Sequence, residues 1–367
     1  MKDIVRRVGQ RFMVGFEGLT ASADVKALIR EFGVAHVVLF ARNVEEPVQL
    51  AELVRELQSV ARDAGLSWPL LVAVDQEGGR VARLKEPWTV WPAPRALGRA
   101  GDEEMARQTG EALAAELGSC GIRMNVAPVV DVDTNPDNPV IGDRSFGDDP
   151  VLVGRLGVAM IRALQAGGVA ACAKHFPGHG DTDVDSHLDL PVLSHPRSRL
   201  DEVELPPFRR AIEAEVATVL TSHVLFPEVD EALPASLSEP LTTGLLRGEL
   251  GFDAVVLTDD LDMKAVAHRW TPAEIAAKAA GAGADILAFC RDHDAQVEGI
   301  EALIRTAESG EMPFTAMEAA ERRVRRLQEQ FLGGYRDPDP REARQVAGRA
   351  EHRELAERIA AAAGLSA

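Results

Sequence analysis

The chain has 367 residues, with 58 acidic side chains against 40 basic ones and a formal charge of −18 at neutral pH. That balance excludes a polyanion-binding surface as the organising feature, because phosphate backbones are held by clustered Lys and Arg; no nucleic-acid partner is expected. Hydrophobic residues at 46% suffice for a large packed core and exclude wholesale disorder, while no apolar run reaches membrane-spanning length.

The N-terminal stretch MKDIVRRVGQRFMVGFEG carries charges but no apolar core and no cleavage site, so no secretory leader is expected. Short β-branched runs then alternate with stretches of helical period. Strands are predicted at 11–15, 34–40, 70–74, 122–132, 169–173, 216–221, 254–258 and 286–289. Helices are predicted at 47–64, 103–117, 151–166 and 274–280, where apolar residues recur at i, i+3 and i+4. The strands read as continuous apolar runs, as in strands buried on both faces. Strict alternation predicts a parallel sheet with right-handed crossovers, and about eight such units predict a closed (β/α)8 TIM-like barrel over 1–335. An open doubly wound sheet is disfavoured, since neither GxGxxG nor GxxxxGK[ST] follows a strand. Beyond Phe331 the chain turns through GGYRDPDP, and a helix over about 341–363 is predicted to pack on the outside of the barrel, within a tail of 336–367. Cys120, Cys172 and Cys290 lie in apolar stretches without a CxxC pair. They read as small buried hydrophobes in a reducing, cytoplasmic compartment. The barrel buries its own core, so a monomer is the simplest expectation.

Catalytic groups of such a barrel come from the C-terminal strand ends and the loops after them. Polar residues gather there: Asp75 and Arg83 in DQEGGRVARL, Arg144 in DRSFG, Lys174 and His175 in KHFPGHGDTDVDSH, then TSHV and TDDLDM. The fifth loop is the richest, with His179, Asp181, Asp183, Asp185 and His187. A calcium loop would use the three aspartates, but Ser186 and Val192 stand where an EF-hand needs Gly and Glu. A metallohydrolase would use His175, His179 and His187, yet no HExxH helix and no HxH pair accompanies them. Acid/base chemistry by Asp185 and His187, two residues apart, is the third reading: the carboxylate would fix the imidazole tautomer. Asp259, at the end of the seventh strand, is the candidate nucleophile, and Asp260 beside it would face away and cap the following helix.

These motifs, in this order, resemble the β-N-acetylhexosaminidases of glycoside hydrolase family 3, the NagZ-like enzymes, and the resemblance spans the chain to about residue 335. It implies a retaining exo-acting β-N-acetylglucosaminidase with Asp259 as nucleophile and His187 as acid/base, oriented by Asp185. Asp75, Arg83, Arg144, Lys174 and His175 would bind the sugar, and no metal or cofactor is needed. The implied substrate is a terminal non-reducing N-acetylglucosamine on cell-wall turnover fragments, in peptidoglycan recycling. Glycines near His187 suggest a loop that brings the acid in when sugar is bound. Arg83, Arg144 and Lys174 would also offset the acidic protein's repulsion of an anionic group on the substrate; ion pairing with Asp75 or Asp131 is the plainer role for Arg83. Ala82 departs from the Gln of many relatives, and the second α/β domain of larger relatives, with its glutamate acid, is not expected here. Three rivals stay open: a phosphorylase on the same scaffold, a non-catalytic sugar-binding barrel, and a metal enzyme.

Overall fold

The computed structural model describes residues 2–186 and 188–365. Eight strands, β1 (Phe12–Val14), β2 (His36–Leu39), β3 (Leu71–Val74), β4 (Met124–Asn125), β5 (Ala170–Phe176), β6 (Thr218–Thr221), β7 (Val255–Thr258) and β8 (Leu287–Phe289), form one parallel sheet. The order is β7-β6-β5-β4-β3-β2-β1-β8. The two ends meet through a parallel bridge between Leu257 and Ile286, where the Thr258 N–H donates to the Ile286 carbonyl at 3.1 Å. The molecule is therefore the (β/α)8 barrel that the alternation of strand and helix predicts.

The period of two along each strand sorts the side chains. Met13, Val38, Leu71, Ala73, Met124, Ala170, Cys172, Val255, Leu257 and Ala288 point inward and form the barrel's own core. Their neighbours, among them Val14, Val37, Val72, Ala171, Val219 and Val256, face outward into the larger core beneath the helices. The helix Phe314–Leu332 plugs the N-terminal end of the barrel with Val324, Leu327 and Phe331, and its Arg323 holds Asp285 just before β8 at 2.9 Å. This helix and His293–Ser309 before it extend the regular structure beyond the helices predicted from periodicity.

Three elements differ from expectation. The predicted fourth strand shrinks to two residues, since Pro128 has no N–H for the ladder, and beyond it the chain stays beside β5 through the bridge of Val129 to Lys174. β5 instead runs three residues longer than predicted, taking Lys174, His175 and Phe176 into the strand. The tail is two helices, Pro340–Val346 and Ala350–Ala362, divided where Gly348 adopts φ +61°. All three cysteines are buried and unbridged. Among the described residues, no helix is long and apolar enough to cross a membrane.

Candidate active site

Continuing the inward alternation by one step beyond the apolar layer explains where the chemistry lies. After Leu71 and Ala73 comes Asp75; after Ala170 and Cys172 comes Lys174; after Val255 and Leu257 comes Asp259. Odd-numbered strands thus lift an acid, a base and a second acid to the C-terminal mouth. There they line a cavity of about 320 Å³, together with Arg83, Arg144, His175 and Asp185. Its floor is apolar, made by Met13, Val38, Leu220, Leu257 and Ala288.

One wall is a chain of alternating charge. Arg83 Nη2 lies 3.5 Å from Asp75, whose other oxygen accepts from Lys174 Nζ at 2.8 Å. Lys174 Nζ also meets Glu77 at 2.6 Å, and Glu77 takes two parallel N–H bonds from Arg144, at 2.8 and 2.9 Å. Arg144 Nη2 then donates to His175 Nε2 at 3.3 Å, while His175 Nδ1 faces Asp131 at 2.6 Å. A guanidinium only donates, so Nε2 accepts and the ring proton sits on Nδ1, toward Asp131. Burial alone would raise the Glu77 carboxyl, but Arg144 and Lys174 outweigh it and hold the group well below the usual range. Asp131 is likewise held low against its burial by His175 and His179. The ammonium of Lys174, which burial would depress, is kept raised by Asp75 and Glu77.

Asp259 is partly buried, and desolvation favours its acid form, yet His223, His175, the Asp260 N–H and Lys174 together lower its pKa. The Asp260 N–H donates to its Oδ1 at 2.8 Å. Asp259 is therefore a carboxylate at neutral pH. Asp260 does not cap the following helix, as the sequence led us to expect. Its Oδ1 accepts from the N–H groups of Asp262 and Cys290, at 3.0 and 3.1 Å, and so ties the seventh loop to the end of β8. Burial, Asp262 and Asp259 push its carboxyl up to about 7.

The fifth loop divides its residues between scaffold and cavity. His179 is buried, with Nδ1 2.7 Å from Thr182 Oγ1 and Nε2 3.3 Å from Ser186 Oγ, and burial together with His175 pushes it down to about 4. Asp181 pairs with His195 at 2.6 Å and accepts from Thr134 Oγ1 at 2.7 Å. Both serve the loop's own shape. No group of three or more His, Cys, Asp and Glu side chains converges as a metal cage among the described residues. Asp185 lines the cavity, and its carbonyl accepts the N–H groups of Leu188 and Asp189. His187, the expected acid/base, lies outside the described residues.

The sequence reading passed over three participants. Glu77 sits inside DQEGG, two residues beyond Asp75, where a charged residue directly after a buried strand was a usable signal. Asp131 was weighed only as a rim partner for Arg83. His223 of TSHV is buried, with Nδ1 2.7 Å from Ser236 Oγ and Nε2 donating to the Asp260 carbonyl at 2.9 Å. Arg144 and Lys174 are ion-paired, Arg144 with Glu77 and Lys174 with both Asp75 and Glu77.

Residues 4–327 match the model of the glycosyl hydrolase family 3 N-terminal domain. The chain belongs to glycosyl hydrolase family 3. Within it the relatives are β-hexosaminidases. A family 3 β-N-acetylglucosaminidase from Paenibacillus superposes with a TM-score of 0.90 at 43% identity, covering 98% of this chain and 68% of that one. NagZ from Neisseria gonorrhoeae, solved both native and with N-trifluoroacetyl-D-glucosamine, matches over 97% of this chain and 98% of its own in the native form, at 30% identity and a TM-score of 0.78. β-Hexosaminidase A of Pseudoalteromonas piscicida is 38% identical over 283 residues, which cover 73% of this chain. The chain spans only about half of that relative's length, 47%. The chain is thus a family 3 glycoside hydrolase of the β-hexosaminidase kind.

Proposed function

We propose that the protein is a retaining, exo-acting β-N-acetylglucosaminidase that releases terminal non-reducing N-acetylglucosamine from muropeptide fragments in the cytoplasm. The observation that carries the reading is Asp259: a carboxylate held low at the end of β7, in the cavity that Asp75, Lys174 and Arg144 also line. In the first step an Asp259 oxygen attacks the anomeric carbon. The bond to the leaving oxygen breaks, and His187 gives that oxygen its proton. In the second step His187 takes a proton from water, whose oxygen attacks the same carbon and frees Asp259. Configuration is retained through two inversions. Asp185 orients His187, and Asp75, Arg83, Arg144, Lys174 and His175 hold the sugar hydroxyls and amide.

The test is hydrolysis of p-nitrophenyl β-N-acetylglucosaminide with and without phosphate. Phosphate-independent release, reduced about a thousand-fold or more in Asp259→Ala, is expected for loss of a nucleophile. Turnover that requires phosphate and yields a sugar 1-phosphate would instead make the protein a phosphorylase.

A further inference from the structure

The alternating wall has an acid that does not face the sugar cavity, and its position limits what the neighbouring cations can bind. Lys174 and Arg144 line the cavity, whereas Glu77 lies behind them with its side chain 1% exposed. An ammonium has three N–H groups, and Lys174 spends one on Asp75 and one on Glu77. A guanidinium has five. Arg144 spends Nε and one Nη2 hydrogen on Glu77, the other Nη2 hydrogen on His175, and one Nη1 hydrogen on the Val140 carbonyl at 3.2 Å. Each cation therefore keeps a single N–H. Anions are recognised by Arg through the flat two-donor edge, and on Arg144 that edge is occupied by Glu77. Two separated single donors suit hydroxyl or carbonyl oxygens of a neutral sugar.

We propose that Glu77 is the specificity-determining residue of the sugar subsite. By holding the two-donor edge of Arg144 and one donor of Lys174, it makes the pair read neutral oxygens and refuse a sugar bearing carboxylate, sulfate or phosphate. Glu77 is a positioning residue, since it acts through Lys174 and Arg144. The inference rests on the cavity being a sugar site, and it deepens that reading by naming what the site excludes. It also bears on the phosphorylase alternative, because a wall that refuses anions leaves inorganic phosphate without a seat on these two cations.

The experiment compares wild type with Glu77→Gln, which keeps the shape of the side chain and removes its charge. Binding of N-acetylglucosamine and of inorganic sulfate is measured by calorimetry at constant ionic strength, beside KM and kcat on the p-nitrophenyl substrate. Weak sulfate binding in wild type and at least about ten-fold tighter binding in Glu77→Gln are expected, with a raised KM, because Lys174 and Arg144 then lack the carboxylate that neutralises them and holds their donors in place. A purely structural role would lower stability and activity but create no affinity for sulfate. Equal sulfate binding in the two proteins would overturn the proposal. Should Glu77→Gln fail to fold, Glu77→Asp decides: the shortened carboxylate cannot span both cations, so KM is expected to rise about ten-fold with kcat changed less. An unchanged KM there would overturn the proposal as well. If wild type binds no N-acetylglucosamine, it is the sugar reading that falls, and the sulfate comparison still decides what Glu77 does to its two cations.

Discussion

Asp131 shows how much of this site rests on a residue outside the cavity. Its two oxygens accept the His175 N–H at 3.1 and 3.2 Å, the His179 N–H at 2.8 Å, and His175 Nδ1 at 2.6 Å. An asparagine there would turn one acceptor into a donor facing N–H groups, and the imidazole would lose the partner that fixes its tautomer. Asp131→Asn is expected to lower kcat/KM about a hundred-fold while the protein still folds, as steady-state kinetics and circular dichroism would show. Asp260 yields a prediction of opposite sign. Its folded pKa stands above the unfolded value near 4, so between about pH 4 and pH 7 the folded protein holds a proton that the unfolded chain has released, and stability falls as pH rises. Glu77, Asp131 and Asp259 are held low, so their contribution is present above about pH 4 and is lost as pH falls below it. Asp260→Asn keeps an acceptor for the Asp262 and Cys290 N–H groups, and is expected to raise the melting temperature above pH 7 and leave it unchanged near pH 4. A difference that does not grow with pH would refute this. Asp75, Lys174 and Asp259 were legible in the sequence because each ends an apolar strand. Glu77 and Asp131 were not, because Glu77 meets Arg144 across 67 positions and Asp131 meets His175 across 44.

At the scale of elements, apolar runs located all eight strands, and the errors fall where the backbone departs from a plain ladder. Pro128 ends β4 early, and the loop beyond it must then lie against the fifth loop. Gly180 permits that approach: a Cβ there would sit 1.9 Å from the Val132 carbonyl oxygen. No rearrangement of a flexible side chain can relieve contact with backbone. Gly180→Ala is expected to cost about 1–3 kcal/mol and to move Asp131, next to Val132, away from His175. Thermal melting and kcat/KM should therefore fall together. Loss of stability with full activity would show that the two loops shift without disturbing the Asp131–His175 pair. Period and composition cannot reveal such a constraint, since glycine in PGHGD reads equally well as a turn.

Over the whole molecule, the tail is tied to the loop after β3 and to the helix Glu103–Ser119 at a buried acid. Glu116, on the helix Glu103–Ser119, accepts at Oε1 from the Thr89 hydroxyl at 2.7 Å, the Gly348 N–H at 2.9 Å and His352 Nδ1 at 3.2 Å. Thr89 belongs to the loop after β3 that also carries Glu77 and Arg83. Arg353 adds a bond to the Pro87 carbonyl of the same loop at 3.1 Å, and Gly348 lies so close that a Cβ would stand 2.1 Å from that oxygen. The tail, the helix Glu103–Ser119 and the loop after β3 thus meet at one carboxylate. Truncating it strands several buried donors, and Glu116→Ala is expected to destabilise the fold by about 3 kcal/mol. Because the released loop bears Arg83 and Glu77 rather than Asp259, the kinetic effect should fall on KM more than on kcat. Melting and steady-state kinetics of this one variant separate the roles. A lower melting temperature with a raised KM means that the tail positions the binding loop, and a lower melting temperature with KM unchanged means that it only adds stability to the barrel's flank.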